Sequence, residues 1–426
     1  MRFDKSDLLL YAVTDRSWLE GESLYGQVEK ALIGGATLIQ LREKNLDELH
    51  FMEEARAIQL LCRRYRVPFV INDNVEIAQR MDADGVHVGQ QDMEAGEVRK
   101  RLGADKIIGV SAHSVEEALL AERCGADYLG VGAVFSTSSK PDANVISHGT
   151  LKEICEAVKI PVVAIGGIGQ NNILKLKGSG ASGVAVISSI FAQPNIIEAT
   201  RALRSLSEKM TGTRNIEGAI FDMDGTLLDS MPVWEHVSEK YLARNGIKAE
   251  ENLSEILFSL SMEQGAAYIK KTYQLEQNLE EIVAGVNAIA AEAYETSIPL
   301  KKGAAELLEK LAERGIKMAV ATSTDRPLAE AALKRTGIYD YFEQIFTCTE
   351  VGAGKVRPDI FDAARNKLGS RKCATWVFED AQYAIETARA AGYRTVGIYD
   401  ERSKKVQSQI AEAADIYLEN IGDFLQ

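Results

Sequence analysis

The sequence predicts an α/β protein of two domains, a closed (β/α)8 TIM barrel followed by a doubly wound, Rossmann-like core with a helical cap. Three observations carry that prediction. Eight extended apolar runs alternate with amphipathic segments over about the first 200 residues, the rhythm of a closed barrel. A second series of strands, each ending in acidic or hydroxyl residues, opens at Gly218. At 426 residues the chain also exceeds one ordinary core and should split in two.

Composition narrows the function classes. A 46% hydrophobic and 26% charged content is that of a water-soluble globular protein. A net charge of −13 argues against nucleic acid or an anionic membrane as partner, since both call for a basic surface. Small phosphorylated molecules remain open where local cations or a metal receive them. The five cysteines, Cys62, Cys124, Cys155, Cys348 and Cys373, are scattered and lack metal-ligand spacing. They read as reduced thiols, and with no secretion signal or membrane-spanning run in view the expected location is cytoplasmic.

The barrel strands are expected at Leu8 to Val13, Thr37 to Leu41, Phe69 to Ile71, Gly85 to Val88, Ile107 to Val110, Tyr128 to Val131, Val162 to Ile165 and Gly183 to Ile187. Helical patterns fill most gaps, as at Leu24 to Ile33, Leu46 to Tyr65, Val115 to Arg123 and Leu151 to Val158. An open doubly wound sheet is the alternative for the same alternation.

Barrels work at the loops after their strands, so the strand ends are where chemistry is expected. The third and fourth strands lead to Asp73 and Asp92, which a parallel strand-helix-strand unit delivers to one edge. Two such carboxylates suit Mg2+, which completes its shell with water and phosphate oxygens. As isolated turn residues they would need no function. The second strand runs into Gln40, Leu41, Arg42, Glu43 and Lys44, and alternation sends Gln40, Arg42 and Lys44 to one face. Two cations and an amide together suggest a diphosphate clamp rather than ordinary surface charge.

Asn72 stands beside Asp73, and the fifth strand leads to Ser111 and His113, the histidine reading as a loop residue. The sixth strand gives way to Thr137, Ser138, Ser139 and Lys140, donors suited to phosphate where a plain loop is the bland alternative. Gly166 and Gly167 follow the seventh strand, and Ile187 and Ser188 the eighth. Loops at those two places often bind phosphate through backbone N–H groups.

With these residues in view, the first half resembles the thiamine phosphate synthase family over essentially residues 6 to 205. The matching pieces are QLREK at Gln40 to Lys44, IND at Ile71 to Asp73, DGVHVGQQD at Asp84 to Asp92, TSSK at Thr137 to Lys140, IGGI at Ile165 to Ile168 and VAVISSI at Val184 to Ile190. The resemblance implies joining of hydroxymethylpyrimidine diphosphate to thiazole phosphate with release of diphosphate. It implies that Gln40 to Lys44, Asn72, Ser111 and Lys140 bind the pyrimidine substrate. Asp73 and Asp92 would hold magnesium, while Thr137 to Ser139, Gly167, Ile187 and Ser188 surround the thiazole phosphate. Ser136 and Ser139 depart from the family's usual proline and threonine, which keeps the hydroxyl chemistry in a less rigid loop.

A short polar junction, MTGTRN at Met210 to Asn215, follows. The expected division is residues 1–211, a linker 212–216, and 217–426, with the two domains close together. The second half opens on a strand leading into Asp222, Met223, Asp224, Gly225 and Thr226. Later strand ends supply Thr322 with Ser323, then Lys355 ahead of Pro358-Asp359, then Glu379 with Asp380. In this order they resemble the haloacid-dehalogenase-like phosphatases over about residues 216 to 424. That resemblance implies Asp222 as nucleophile, Asp224 as acid and base, and Thr322 and Lys355 as phosphoryl holders. Magnesium would lie between Asp222, Asp380 and the backbone carbonyl of Asp224, with Glu379 in support. Lys355 lacks the proline that commonly follows it; Val356 stands there.

Residues of about 230–299 read as the helical cap, with Trp234 and Tyr241 as its packing residues. The expected whole is a bifunctional enzyme whose rear domain dephosphorylates thiamine phosphate. The rival readings give that domain a sugar phosphate, a salvage intermediate or a phosphomutase role, or make the barrel a ligand-binding regulator. Oligomeric state is left open.

Overall fold

The computed structural model describes all residues except 1–2, 91, 138–144, 258–259, 261 and 426. It divides into two compact units, one of residues 1–215 with 371–374 and one of residues 216–370 with 375–426. The helix Ile196–Thr211 ends on Gly212, whose positive φ of 68° is the left-handed turn that stops a helix.

The first unit is a closed parallel barrel of β1 (Leu10–Val13), β2 (Leu38–Leu41), β3 (Phe69–Asn72), β4 (Gly85–Val88), β5 (Ile107–Ala112), β6 (Tyr128–Val131), β7 (Val162–Ile165) and β8 (Gly183–Val186). Because β8 pairs with β1, the open-sheet alternative is excluded here. Alternation explains the two cores. Tyr11, Val13, Leu38, Val70, Ile107, Tyr128, Val163 and Ala185 fill the interior. Their neighbours Leu10, Ala12, Ile39, Leu41, Phe69 and Ile71 pack outward under the helices.

Boundaries depart from the pattern where side chains cap the backbone. Leu8 belongs to a 3-10 turn, Lys5–Leu8, capped by Asp4, yet it still plugs the barrel interior. The second helix starts at Glu48 because Asp47 accepts from the His50 N–H. The sixth-strand crossover helix starts at His148 because Ser147 accepts from the Thr150 N–H. β5 continues to Ala112, so Ser111 lies within a strand instead of after one.

The second unit is a parallel sheet of β9 (Gly218–Phe221), β10 (Lys317–Thr322), β11 (Phe342–Thr347), β12 (Thr375–Glu379), β13 (Arg394–Ile398) and β14 (Ile416–Leu418), ordered β11-β10-β9-β12-β13-β14. The chain leaves β9 with β10 on one side and β12 on the other, which opens a crevice at its carboxyl end. Between β9 and β10 stands a helical cap whose own core includes Val237, Tyr241, Leu242, Ile269, Ile282 and Val286. The passages into and out of it run side by side, with Asp229 N–H donating to Pro299 O at 3.0 Å and Lys301 N–H to Leu227 O at 2.9 Å. Tyr241 is cap core as expected, and Gly285 leaves room for its ring, since a Cβ there would lie 2.4 Å from Tyr241 Cε2. No described helix is long and apolar enough to cross a membrane.

Candidate active sites of the two units

At the barrel's carboxyl edge the acidic pair comes together. Asp73 adopts a positive φ of 61°, with its N–H donating to His87 O at 2.8 Å. Asn72 Nδ2 donates to its carboxylate at 2.5 Å. Asp92 accepts from Gly89 N–H at 2.7 Å. Burial, then the hydrogen bond and charge of Asp92, push Asp73 up to about 6, while Asn72 and the Arg42 charge pull the other way. A carboxylate raised by a second one beside it fits a divalent cation, which would satisfy both.

Arg42 joins this edge, its N–H donating to Thr14 Oγ1 at 3.0 Å and its guanidinium to Asp15 at 3.1 Å. β2 ends at Leu41, so Arg42 and Lys44 are set by the loop and not by strand alternation. Lys44 is exposed. Leu41 faces the outer core, which leaves only its backbone for the mouth. Glu43 organises the loop: it pairs with Arg16 and accepts from the N–H groups of Lys44 and Asn45 at 2.8 and 3.0 Å. Burial opposes its charge, but those donors hold its carboxyl below the usual range.

The loops after β6, β7 and β8 adjoin. Gly167, at φ 64°, lies so close to the 135–136 backbone that a Cβ would sit 2.3 Å from Ser136 O. Ser189 Oγ donates to Ile168 O at 2.6 Å, bringing Ile187 and Ser188 beside the β7 loop. Thr137 is half-buried next to this junction. Ser138, Ser139 and Lys140 lie outside the described residues.

A buried polar chain runs beneath the mouth. Gln40 Nε2 donates to Tyr11 Oη at 2.6 Å, and Tyr11 and Tyr128 hydroxyls meet at 2.8 Å. His87 links Tyr128 Oη and Ser111 Oγ, each at 3.0 Å. A Cβ on Gly109 would lie 2.2 Å from Tyr128 Cζ, and one on Gly130 2.9 Å from His87 Cε1, so glycine is needed at both. Tyr11, His87 and Tyr128 share strand parity with Gln40 and Ser111, a signal that could have marked them. His113 instead bonds Glu117 at the surface.

Burial pushes His87 down to about 4, with only the Asp92 charge opposing it. The unfolded state therefore takes up a proton near pH 6.5 that the folded barrel refuses until about pH 4. Stability should fall as pH drops through that window. In 15N NMR the His87 ring is expected to stay neutral down to about pH 4; titration near 6.5 would contradict its burial.

The second unit concentrates its charges at the ends of β9 and β12. Lys355, almost fully buried, bonds to Asp222 and, at 2.6 Å, to Glu379. Burial alone would lower Lys355, but the two carboxylates outweigh it and keep the ammonium charged. Burial pushes Asp222 up to about 7 against the pull of Lys355, and Glu379 and Asp224 add to the rise. Asp380 is raised by burial and by the charges of Asp222, Glu379 and Asp400.

One carboxylate oxygen from each of Asp222, Glu379 and Asp380 falls within 4.8 Å of the others. Asp222 Oδ2 is buried and has no hydrogen-bond partner. Both Glu379 oxygens are engaged, one by Lys355 and one by the Ala381 N–H, whereas Asp222 keeps Oδ2 open, so Asp222 and Asp380 are the acids left to hold a metal, and that donor set fits magnesium. Gly225 at φ 86° is required beside them, because a Cβ would lie 2.3 Å from Asp380 Oδ2.

Asp224 turns its carboxylate the other way. It accepts from Tyr294 Oη at 2.6 Å and Thr324 Oγ1 at 2.7 Å. Thr322 is fully buried at the end of β10, accepting from Thr324 N–H at 3.0 Å. These groups border a cavity of about 590 Å³, roofed by Met231, Trp234, Asn287 and Ala290 of the cap. Trp234 packs on two cores, as expected, and also lines the cavity. Val356, in place of the usual proline, is 70% exposed and leaves Lys355 where the acids need it. Tyr294 and Thr324 were missed, since nothing in the local sequence ties them to Asp224.

Known proteins resemble the two halves separately. The family described as "Thiamine monophosphate synthase" matches residues 10–190, and "Haloacid dehalogenase-like hydrolase" matches 219–398. A thiamine-phosphate synthase of Clostridium tetani is 51% identical over 197 residues, 46% of this chain and 94% of that protein. One from Persephonella marina is 43% identical over 208 residues, 49% of this chain and all of that protein. Among solved structures, the thiamine phosphate pyrophosphorylase of Pyrococcus furiosus covers 49% of this chain and 99% of its own, at 41% identity and a TM-score of 0.46. A β-phosphoglucomutase of Clostridium difficile covers 49% and 93%, at 21% identity and a TM-score of 0.38. The chain belongs to the thiamine-phosphate synthase family through its first half, and a haloacid-dehalogenase-like hydrolase domain is fused behind it.

Proposed function

We propose that residues 1–211 join hydroxymethylpyrimidine diphosphate to thiazole phosphate and that residues 217–426 then hydrolyse the resulting thiamine phosphate to thiamine. The observation that carries the second step is the charge of the cavity. Among its described lining residues Lys355 is the one cation, beside Asp222, Asp224, Asp325, Glu379 and Asp380. A single buried cation suits one phosphoryl group, and a bisphosphate or phosphomutase substrate would need a second. Asp325, the lining acid with no part in the phosphoryl chemistry, and the indole of Trp234 favour a flat cationic ring on the alcohol side. All described cysteines are free, which fits a reducing compartment, and the reading assigns the work to the cytoplasm.

In the barrel, Arg42 and Lys44 receive the charge that develops on the departing diphosphate, with Lys140 as the third cation of this reading. The pyrimidine carries the cation left behind, and the thiazole nitrogen attacks it, so no protein nucleophile is needed. Gln40, Asn72 and Ser111 orient the pyrimidine, while Thr137 to Ser139, Gly167, Ile187 and Ser188 receive the thiazole phosphate. Magnesium held by Asp73 and Asp92, or by Asp222, Asp380 and the Asp224 carbonyl, supplies neutralisation of phosphoryl charge when bound.

In the rear unit Asp222 forms a bond to phosphorus as the ester oxygen leaves, and Asp224 gives that oxygen its proton. Water then attacks the aspartyl phosphate, Asp224 takes the proton back, and phosphate departs. Thr322 and Lys355 hold the phosphoryl oxygens through both steps. The test ranks kcat/KM of the full chain for thiamine phosphate, thiamine diphosphate and glucose 6-phosphate. Thiamine phosphate is expected to lead by roughly tenfold or more, one ordinary binding contact's worth; a sugar phosphate that matches it would overturn the assignment.

A further inference from the structure

We propose that Tyr294 is a positioning residue that decides which oxygen of Asp224 carries the catalytic proton. The inference rests on the phosphatase reading and deepens it. Tyr294 lies near the end of the last cap helix, Leu279–Thr296, with its side chain fully buried. Its hydroxyl donates to Asp224 Oδ1 at 2.6 Å. It also accepts from Trp234 Nε1, on the first cap helix Met231–Arg244, at 3.0 Å.

An indole N–H can only donate. Trp234 fills the acceptor side of the Tyr294 hydroxyl, where the Thr324 hydroxyl also bears on it as a donor, so the tyrosine turns its own proton toward Asp224. Oδ1 is therefore held as an acceptor. Thr324 faces the other oxygen, Oδ2, at 2.7 Å, but a threonine hydroxyl rotates and accepts as readily as it donates. Oδ2 is the oxygen that can gain a proton without breaking a bond it depends on. The catalytic proton thus resides on Oδ2, leaves for the ester oxygen, and returns there from water. The two cap helices that meet at Tyr294 make this conditional on the cap, because both donors of the relay belong to it.

General acid help matters most for a poor leaving group, which distinguishes aiming from mere structural support. The experiment measures kcat/KM of full-length wild type and Tyr294→Phe with magnesium, on thiamine phosphate and on p-nitrophenyl phosphate. The variant is expected to lose roughly tenfold or more on the alkyl ester, the scale of one hydrogen bond to an ionised group, and little on the nitrophenyl ester. Trp234→Phe, which frees the acceptor side of Tyr294, guards against a variant that fails to fold and should show the same bias more weakly in kcat. Wild type active on both esters, with variant losses equal on the two, overturns the inference alone. Wild type that hydrolyses neither overturns the phosphatase reading and the inference with it.

Discussion

The Asp222→Asn chain makes thiamine phosphate at the wild-type rate and fails to release its phosphate. An amide oxygen is a poor nucleophile toward phosphorus, so the aspartyl phosphate cannot form. Loss of roughly 10³-fold or more is expected, the scale seen when a covalent nucleophile is removed. Lys355 keeps Glu379 at 2.6 Å, so its ammonium retains one carboxylate partner after the change. The substitution should also change how the metal-free protein responds to pH. Burial raises Asp222 to about 7, so between pH 4 and 7 the folded state binds a proton that the unfolded state has lost. This contribution therefore falls as pH rises through that window, and a neutral Asn removes that pH dependence. Thermal unfolding in a chelator should show a midpoint that falls less between pH 4 and pH 7 in the variant than in the wild type, and an equal fall would contradict the assigned electrostatics.

The double change Asp73→Asn, Asp92→Asn should give the opposite phenotype, with coupling lost and phosphatase turnover kept. Charge stabilisation by a bound metal contributes several kcal/mol, so the synthetic rate is expected to fall by roughly 10²- to 10⁴-fold. Both single variants should be impaired, because the proposed metal site draws one carboxylate from each acid. Asp73, raised to about 6, becomes neutral as pH drops through that value, and wild-type coupling should decline there in step with magnesium binding. Product formation within tenfold of wild type in the double variant would remove the acids from the reaction.

Much of this was legible in the chain because apolar alternation and strand-end chemistry are local. All eight barrel strands, the acidic pair, and the order Asp222, Thr322, Lys355, Asp380 follow from runs of a few residues. What was not legible depends on contacts across the fold. Tyr294 meets Asp224 from 70 residues away, on a cap helix whose pattern reads only as packing. His87 sits inside a matched motif, yet its bonds to Tyr128 and Ser111 depend on barrel closure and on space left by Gly109 and Gly130. Glu43 belongs to a run read as a diphosphate clamp, and only the fold reveals its bond to Arg16. Capping side chains such as Asp47 and Ser147 moved helix starts by two or three residues from where the apolar pattern begins.

The most direct measurement supplies full-length protein with both precursors and magnesium and follows the products by 31P NMR and chromatography. Wild type is expected to yield diphosphate, phosphate and thiamine, with Asp222→Asn stopping at thiamine phosphate and the Asp73, Asp92 double variant yielding thiamine only when thiamine phosphate is added. Wild type that accumulates thiamine phosphate without consuming it, or an Asp222→Asn chain that loses both reactions, would contradict two independent sites acting in sequence.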